Sequence, residues 1–357
     1  MAGCQYLLPR FARLGPLCDS PQKSNSRDEP HSGPIELTAF LIRRLLFAIV
    51  LVVFAASAAL LLTRLAPGDL TSQLGPGATQ AEIAATRARF ALDRGPLAQW
   101  VSWAGRAATF DLGESFLYNR PVAPLVRSAA LNTAALAIVA LITATVLGLA
   151  CGMVTGSRHD AFSALIRSAS FISISIPPLL ASLLLAFVAA RTGWLPVGGM
   201  SSVNAGEMSW LTWLSDVAWH LPLPVLALAL PLAATFERLQ SQALAEAFQQ
   251  PFVLAAVARG VPRTGLILRH AWRVSLRAIC GVYGIAIGAL LSGSFVVEYI
   301  TAWPGLGRLM YEALRARDIY LVAGCAAMGS FFLAIGTLAG DLLLAVVDPR
   351  VREADAA

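Results

Sequence analysis

The sequence predicts an all-α fold, a polytopic membrane protein of six transmembrane helices. Three observations predict it. Hydrophobic residues fill 57% of the 357 positions and charged residues only 13%. The mean hydropathy is +0.67. Six apolar segments each supply the ~20 residues that a bilayer-spanning helix needs. No soluble domain of this length needs so much apolar surface. The formal charge of +6 needs no nucleic acid, because basic cytoplasmic loops account for it. The five cysteines show no CxxC or Cys/His spacing, so neither a disulfide framework nor a metal site is indicated.

Residues 1–36 are polar and rich in Pro, Ser and charge, without the apolar core of a secretory signal. They read as a disordered cytoplasmic leader. Residues 37–357 read as one six-span domain. The spans are placed at Phe40–Leu62, Ala129–Val154, Phe162–Ala190, Trp219–Phe236, Ile279–Val297 and Tyr320–Val347. Pro177-Pro178 is expected to bend the third, since neighbours or water must satisfy the freed carbonyls.

Arginines near the span ends set the orientation. Arg43 and Arg44 precede span one, Arg158 and Arg167 lie between spans two and three, and six arginines from Arg238 to Arg277 lie between spans four and five. Arg350 and Arg352 follow span six. All four regions fall on one side, read as the cytoplasm, with both termini there. Arg308, Arg315 and Arg317 in the last external loop run against the rule. The external loop 64–128 is long and weighs little in it. Within that loop Gln80–Arg89 has helical character, and Leu97–Ala108 carries Trp100 and Trp103 at amphipathic spacing. Short interfacial helices are expected, with the tryptophans at headgroup level.

The cytoplasmic loop 237–278 holds the one long basic, partly polar run. Pro251 suits the first position of a short helix. Gly260 sits where that helix stops, with a positive φ expected, and Pro262 makes the stop firm. Phe252, Ala255, Ala256 and Arg259 fall at i, i+3, i+4 and i+7 on one face. Two alanines there let a partner approach the backbone, and Arg259 and Arg263 flank them. The arrangement suits docking into a groove on another protein; a plain basic loop is the alternative. Arg269, Arg273 and Arg277 recur every fourth residue and are expected to reach phosphate headgroups of membrane lipids.

This run resembles the EAA loop of ABC-importer permeases. Phe252-Val253, Leu254-Ala255-Ala256, Gly260 and Arg269-His270-Ala271 stand where the dipeptide/oligopeptide/nickel permeases carry their version. Leu254 replaces the motif's first Glu, Ala278 a later Pro and Ser241 an Arg. Leu65-Ala66-Pro67-Gly68-Asp69, Leu92-Asp93-Arg94-Gly95-Pro96-Leu97, Asp111-Leu112-Gly113-Glu114-Ser115, Asn119-Arg120-Pro121-Val122 and Asn132-Thr133 resemble further signatures of that family, in order. So do Gly193-Trp194-Leu195-Pro196-Val197-Gly198-Gly199, Glu298, Trp303-Pro304-Gly305-Leu306-Gly307-Arg308, Arg317-Asp318, Asp341 and Asp348-Pro349-Arg350-Val351-Arg352. Thr337 stands where the family usually has Asn. The likeness covers nearly everything after the leader.

The resemblance implies the type I importer fold, in the plasma (inner) membrane. It implies a homologous second permease subunit, two cytoplasmic ATP-binding subunits and an external substrate-binding protein as partners. ATP would be bound by the ATPases, leaving this chain no cofactor. The cargo would be a peptide, with nickel or another small solute as the alternative. No Walker A sequence appears, lysine is almost absent, and no GxSxG elbow is present. A catalytic role is therefore not expected. An ion-coupled secondary transporter would call for inverted repeats and midplane charges; no repeat is seen, and Asp341 alone qualifies as a charge. Asp341 reads either as functional or as the partner of an arginine near the cytoplasmic surface. Glu237-Arg238 reads as an interfacial pair. Gly281, Gly284 and Gly288 serve either helix packing or pore space, and Ser292 and Ser294 are placed near the translocation path.

Overall fold

The computed structural model describes residues 34–65, 79–90, 93, 95–202, 206 and 208–347. Most of the expected leader, and the motif stretches at 66–69, 91–92, 94 and 348–352, lie outside them.

The apolar segments fold as helices because lipid offers no partner for a free backbone N–H or C=O. Helix α1 runs Pro34–Leu65. The loop after it carries α2, Gln80–Arg89, and α3, Pro96–Ala107, close to the expected positions. Thr79 caps α2 through a capping box: its hydroxyl accepts from the Glu82 N–H, and Glu82 accepts from the Thr79 N–H. A hairpin of two-residue strands follows, β1 (Glu114–Ser115) antiparallel to β2 (Arg120–Pro121). It leads into α4, Val122–Ser157. At 1.5 Å per residue, α4 is about 54 Å long, so it overshoots the ~30 Å hydrocarbon layer.

The third apolar segment is bent far more sharply than expected. Helix α5 (Ala161–Ser175) and α6 (Pro178–Thr192) meet at 108°. Ile176 is driven to an extended ψ of 114° by the proline after it. Pro178 then opens a new helix where its missing N–H costs nothing. Five helices among the described residues can cross a membrane unaided, and the bent pair makes a sixth candidate.

Helix α7, Trp210–His220, leads into α8, Pro222–Phe248. The fourth span is thus longer than the expected Trp219–Phe236. Three short pieces follow: α9 (Pro251–Ala258), α10 (Arg263–Gly265) and a π-helical turn over Leu266–Ala271. Helix α11 (Trp272–Cys280) then breaks at Gly281-Val282, and the fifth span proper is α12, Tyr283–Ile300. Helix α13, Leu306–Arg315, stands where the sequence predicts a loop. It is amphipathic, burying Leu306, Gly307, Leu309 and Ala313. Helix α14, Ile319–Val347, closes the described chain.

Small residues let these helices touch. Gly148, Gly152 and Gly156 line the α4 face against α8. A Cβ on them would lie 2.5 Å from Phe236 Cβ, 2.6 Å from Gln240 Cβ and 2.8 Å from the Ser241 carbonyl. On the other side, a Cβ on Gly340 of α14 would lie 2.6 Å from the Gly284 nitrogen of α12. Gly284 is therefore a packing position. The core has two main parts. One joins α1, α3, α4, α13 and α14 around Leu60, Trp103, Val126 and Leu321. The other joins α4, α8 and α12 around Leu136, Phe236, Leu290 and Trp303.

Gly152→Val is expected to separate α4 from α8 and to cost about 1–3 kcal/mol, the usual penalty for overpacking a fitted contact. It should lower the thermal midpoint of the detergent-solubilised protein. Gly105→Ala, where nothing lies within 4 Å of a new Cβ, should leave that midpoint unlowered.

Candidate functional site

The short helix between spans four and five forms where its punctuation places it. Pro251 opens α9, and Gly260 ends it with φ +79°, as the residue type requires. No atom lies within 4 Å of a Cβ at Gly260, so a substitution there meets backbone strain and no clash.

One side of α9 is bedded. Val253 and Ala256 are buried together with Leu266 of the π turn, and Phe248 and Val261 pack against them. The opposite side exposes Phe252, Leu254, Ala255, Val257 and Arg259. This corrects the expected face. Phe252, Ala255 and Arg259 do point outward, but Ala256 is fully buried and holds the helix to its own protein. Every residue from Pro251 to Ala258 is apolar, so no polar position marked which side was outward.

Arg263 is also reassigned. Although exposed, its guanidinium donates to the Ser157 carbonyl at the end of α4. Arg167 of α5 donates to the Thr155 carbonyl at 2.6 Å. Two arginines thus satisfy carbonyls that the end of α4 leaves without helical partners, at the negative pole of its dipole. The Arg263 contact ties the segment after α9 to the end of α4. Beyond the π turn, Arg269, Arg273 and Arg277 remain exposed, while Ser275 on the other side of α11 accepts from Gln240 Nε2 of α8 at 2.7 Å.

Glu237 and Arg238 are not a pair at the surface. Glu237 is 2% exposed and accepts from the Thr155 hydroxyl of α4. Arg238 lies 4.4 Å over the Phe171 ring of α5. Successive helix positions diverge by about 100°, so the two side chains serve different neighbours.

Asp341 of α14 pairs with Arg44 of α1, and each side chain is about a third exposed. Asp341 thus has an arginine partner, as one of its two readings expects. The pair borders a cavity of about 350 Å³ whose walls include Gly281, Gly284, Gly288 and Thr337. Ser292 and Ser294 do not share a face. Ser292 is exposed, whereas Ser294 is buried and helps line a cavity of about 250 Å³ with Thr133, Phe295 and Met310.

The motif residues around Asn132, Glu298, Trp303 and Asp318, scattered in sequence, converge in space. Glu298 is fully buried. It accepts from the Thr133 hydroxyl and from the Gly307 N–H, each at 2.7 Å. Thr133 in turn accepts from the Leu306 N–H at 2.7 Å. Asn132 Nδ2 donates to the Pro304 carbonyl at 2.8 Å, and Trp303 Nε1 donates back to the Asn132 carbonyl at 3.1 Å. A side chain on Gly305 or Gly307 would strike the Glu298 carboxylate, which explains both glycines. Asp318, 1% exposed, accepts from the Ser115 hydroxyl at 2.6 Å and the Leu117 N–H at 3.1 Å. Tyr118 donates to Glu312 at 2.5 Å; burial, then this carboxylate, push its pKa up to about 12. The hydroxyl therefore remains a donor at physiological pH.

The loop tryptophans also differ from expectation. Trp103 is buried and donates to the Leu112 carbonyl at 3.3 Å, and Trp100 donates to Ser57 of α1 at 2.8 Å. Their N–H groups are satisfied within the protein, and α3 packs on α1.

Residues 144–353 match the family of binding-protein-dependent transport system inner membrane components. A putative peptide transport system permease protein of Brucella abortus is 31% identical over 320 residues, covering 88% of this chain and 99% of its own length. The oligopeptide transport system permease protein AppB of Bacillus subtilis is 28% identical over 319 residues, with coverage of 88% and 99%. A probable peptide ABC transporter permease protein of Sinorhizobium fredii is 28% identical over 316 residues, with the same coverage.

Two predictions follow from the burial of these groups. Ala256→Trp should lift α9 from its bed and open the segment to protease in isolated membranes, whereas Ala255→Trp on the exposed side should leave the cleavage pattern unchanged. Glu298→Ala strands the Gly307 N–H and the Thr133 hydroxyl. A buried donor left without its acceptor costs about 1–3 kcal/mol, so the thermal midpoint in detergent should fall.

Proposed function

This chain belongs to the binding-protein-dependent transport system inner membrane components and is a multi-pass permease of an importer, and we propose that its cargo is a peptide and that α9 couples it to ATP hydrolysis. Curated relatives named for peptide transport match it over 88% of its length, which supports the cargo. The observation that carries the coupling role is the exposed apolar side of α9, with Phe252, Leu254 and Val257 each between 42% and 57% exposed. A short helix held from behind by Val253, Ala256 and Leu266, with oily residues turned outward, suits the groove of another protein.

In this reading two permeases, this chain and a homologue, form the path. Two cytoplasmic ATPases receive the α9 helices and bind the ATP, so this chain carries no cofactor and catalyses no reaction. ATP-driven closure of the ATPases moves α9. The motion passes through the Leu266 bed and the Arg263–Ser157 contact to α4, α8 and α12. The path then opens toward an external binding protein that delivers the peptide, and hydrolysis resets it. Ser294 and the cavity beside it lie next to the external network around Glu298, where such an opening would be felt. Both termini and the loop 237–278 face the cytoplasm.

The test is reconstitution in vesicles with both ATPases, the second permease and loaded binding protein. Gly260→Val places a β-branched residue at positive φ, a strain of about 1–3 kcal/mol, and should lower peptide uptake relative to ATP turnover. Ala255→Trp adds volume on the exposed side. At an overpacking cost of ~1–3 kcal/mol, complex occupancy falls between several-fold and roughly a hundredfold. Normal assembly and uptake in both variants would remove α9 from the coupling role. For orientation, a reporter fused after Gly105 should report the external side and one after Gly265 the cytoplasm; the reverse would overturn the docking argument.

A further inference from the structure

Helix α7 carries an outward face that neither the transport path nor the docking segment uses. Trp210, Leu211 and Leu214 fall on one side of it, at i, i+1 and i+4, and are 70%, 59% and 52% exposed. Trp213 and Trp219 flank this side, 39% and 57% exposed. Only Val217 and His220 are buried.

The polar groups of α7 are occupied elsewhere. Asp216 accepts from the Ser202 N–H at 2.6 Å and from the Ser202 hydroxyl at 2.7 Å, which ties the preceding loop to the helix. Those bonds hold its carboxyl below the usual carboxylate range. His220 Nδ1 lies 2.8 Å from the Asp216 carbonyl. The Ser215 hydroxyl is turned back to the Thr212 carbonyl. What remains outward is dominated by indole and leucine.

Continuity with α8 decides where this face lies. The Leu221 N–H donates to the Val217 carbonyl, and the Val225 N–H to the Leu221 carbonyl, so the chain passes from α7 into the spanning helix with its hydrogen bonding almost unbroken. Helix α7 therefore adjoins the end of a candidate spanning helix. Helix α6, which also packs on α8, exposes residues of the same kind, Leu180, Leu184 and Phe187. Tryptophan is enriched where hydrocarbon gives way to headgroups, because its ring is apolar and its N–H still seeks a polar partner.

We infer that α7 is a membrane-interface anchor whose partner is the phospholipid surface, with Trp210, Leu211 and Leu214 inserted at the boundary between headgroups and acyl chains. The assignment requires the spanning helices to lie in a bilayer but does not depend on which side faces the cytoplasm. Its consequence is mechanical. Helix α8 is held to the lipid boundary at one end by α7 and carries α9 at the other, so α7 fixes one end of the element that α9 moves.

The test uses the full chain with its native cysteines replaced by alanine, in vesicles of phosphatidylcholine and phosphatidylglycerol. Leu214→Cys is labelled with bimane, and a Phe54→Cys label on the exposed side of α1 serves as the reference within the bilayer. Lipids carry a nitroxide either near the headgroup or at the acyl terminus. The expected result is loss of most of the fluorescence at position 214 with the shallow nitroxide, little with the deep one, and the same in the assembled transporter. Three results would overturn the inference: quenching at 214 by aqueous iodide but by neither lipid, stronger quenching by the deep nitroxide, or protection from both lipids once the second permease or the binding protein is added. If the Phe54 reference is itself unquenched by lipid, the membrane placement of α1 fails, and that outcome is distinct from failure at α7 alone.

Discussion

The close approach of α4 and α8 along Gly148, Gly152 and Gly156 is the contact on which the rest of the molecule depends. In lipid, apolar side chains gain little by leaving hydrocarbon for another helix, so association rests on close packing and buried polar bonds. Three glycines at i, i+4 and i+8 remove side-chain volume along one face of α4, and the backbone of α8 fills the space. The same approach sets the Thr155 hydroxyl against the buried Glu237 carboxylate. It also fixes the end of α4, where the Ser157 and Thr155 carbonyls receive Arg263 and Arg167. The turn after α9 is thus located by the seam, through the buried end of a helix whose middle is locked.

The opposite end, around Glu298 and Asp318, is held by a different kind of contact. Glu298 and Asp318 are carboxylates with almost no exposure, each surrounded by donors from distant parts of the chain. Removing a charge from water is expensive unless its acceptor sites are filled. Glu298 fills them with the Thr133 hydroxyl and the N–H groups after Trp303-Pro304, and Asp318 with Ser115, Leu117 and Leu321. These bonds bind α4, α12, α13 and the β1–β2 hairpin into one cap. The cavity beside Ser294 is lined in part by Thr133, Leu306 and Gly307 of that cap.

Between the two ends, α8 connects more partners than any other helix among the described residues. It meets α4 along the glycine seam, α5 through Arg238 and Phe171, and α11 through Gln240 and Ser275. It continues into α9 after two residues and is preceded directly by α7. Helix α8 therefore links α9 to α4, α5 and α11.

The sequence by itself determined the membrane class, the all-α fold and the approximate place of every span, because lipid imposes long apolar runs that composition displays directly. It also placed α2, α3 and the ends of α9, since capping residues, proline and glycine act locally. The motifs around Asn132-Thr133, Glu298 and Trp303 to Arg308 were visible as strings, but their purpose was not. Their hydrogen bonds join positions more than 160 residues apart, and only the tertiary structure brings such residues together. The tertiary structure also decided which face of α9 looks outward, because an all-apolar helix carries no polar residue to mark it. It set the 108° bend at Ile176-Pro177, the burial of Glu237 and the indole bonds of Trp100 and Trp103, since each depends on what a neighbouring helix presents at that spot.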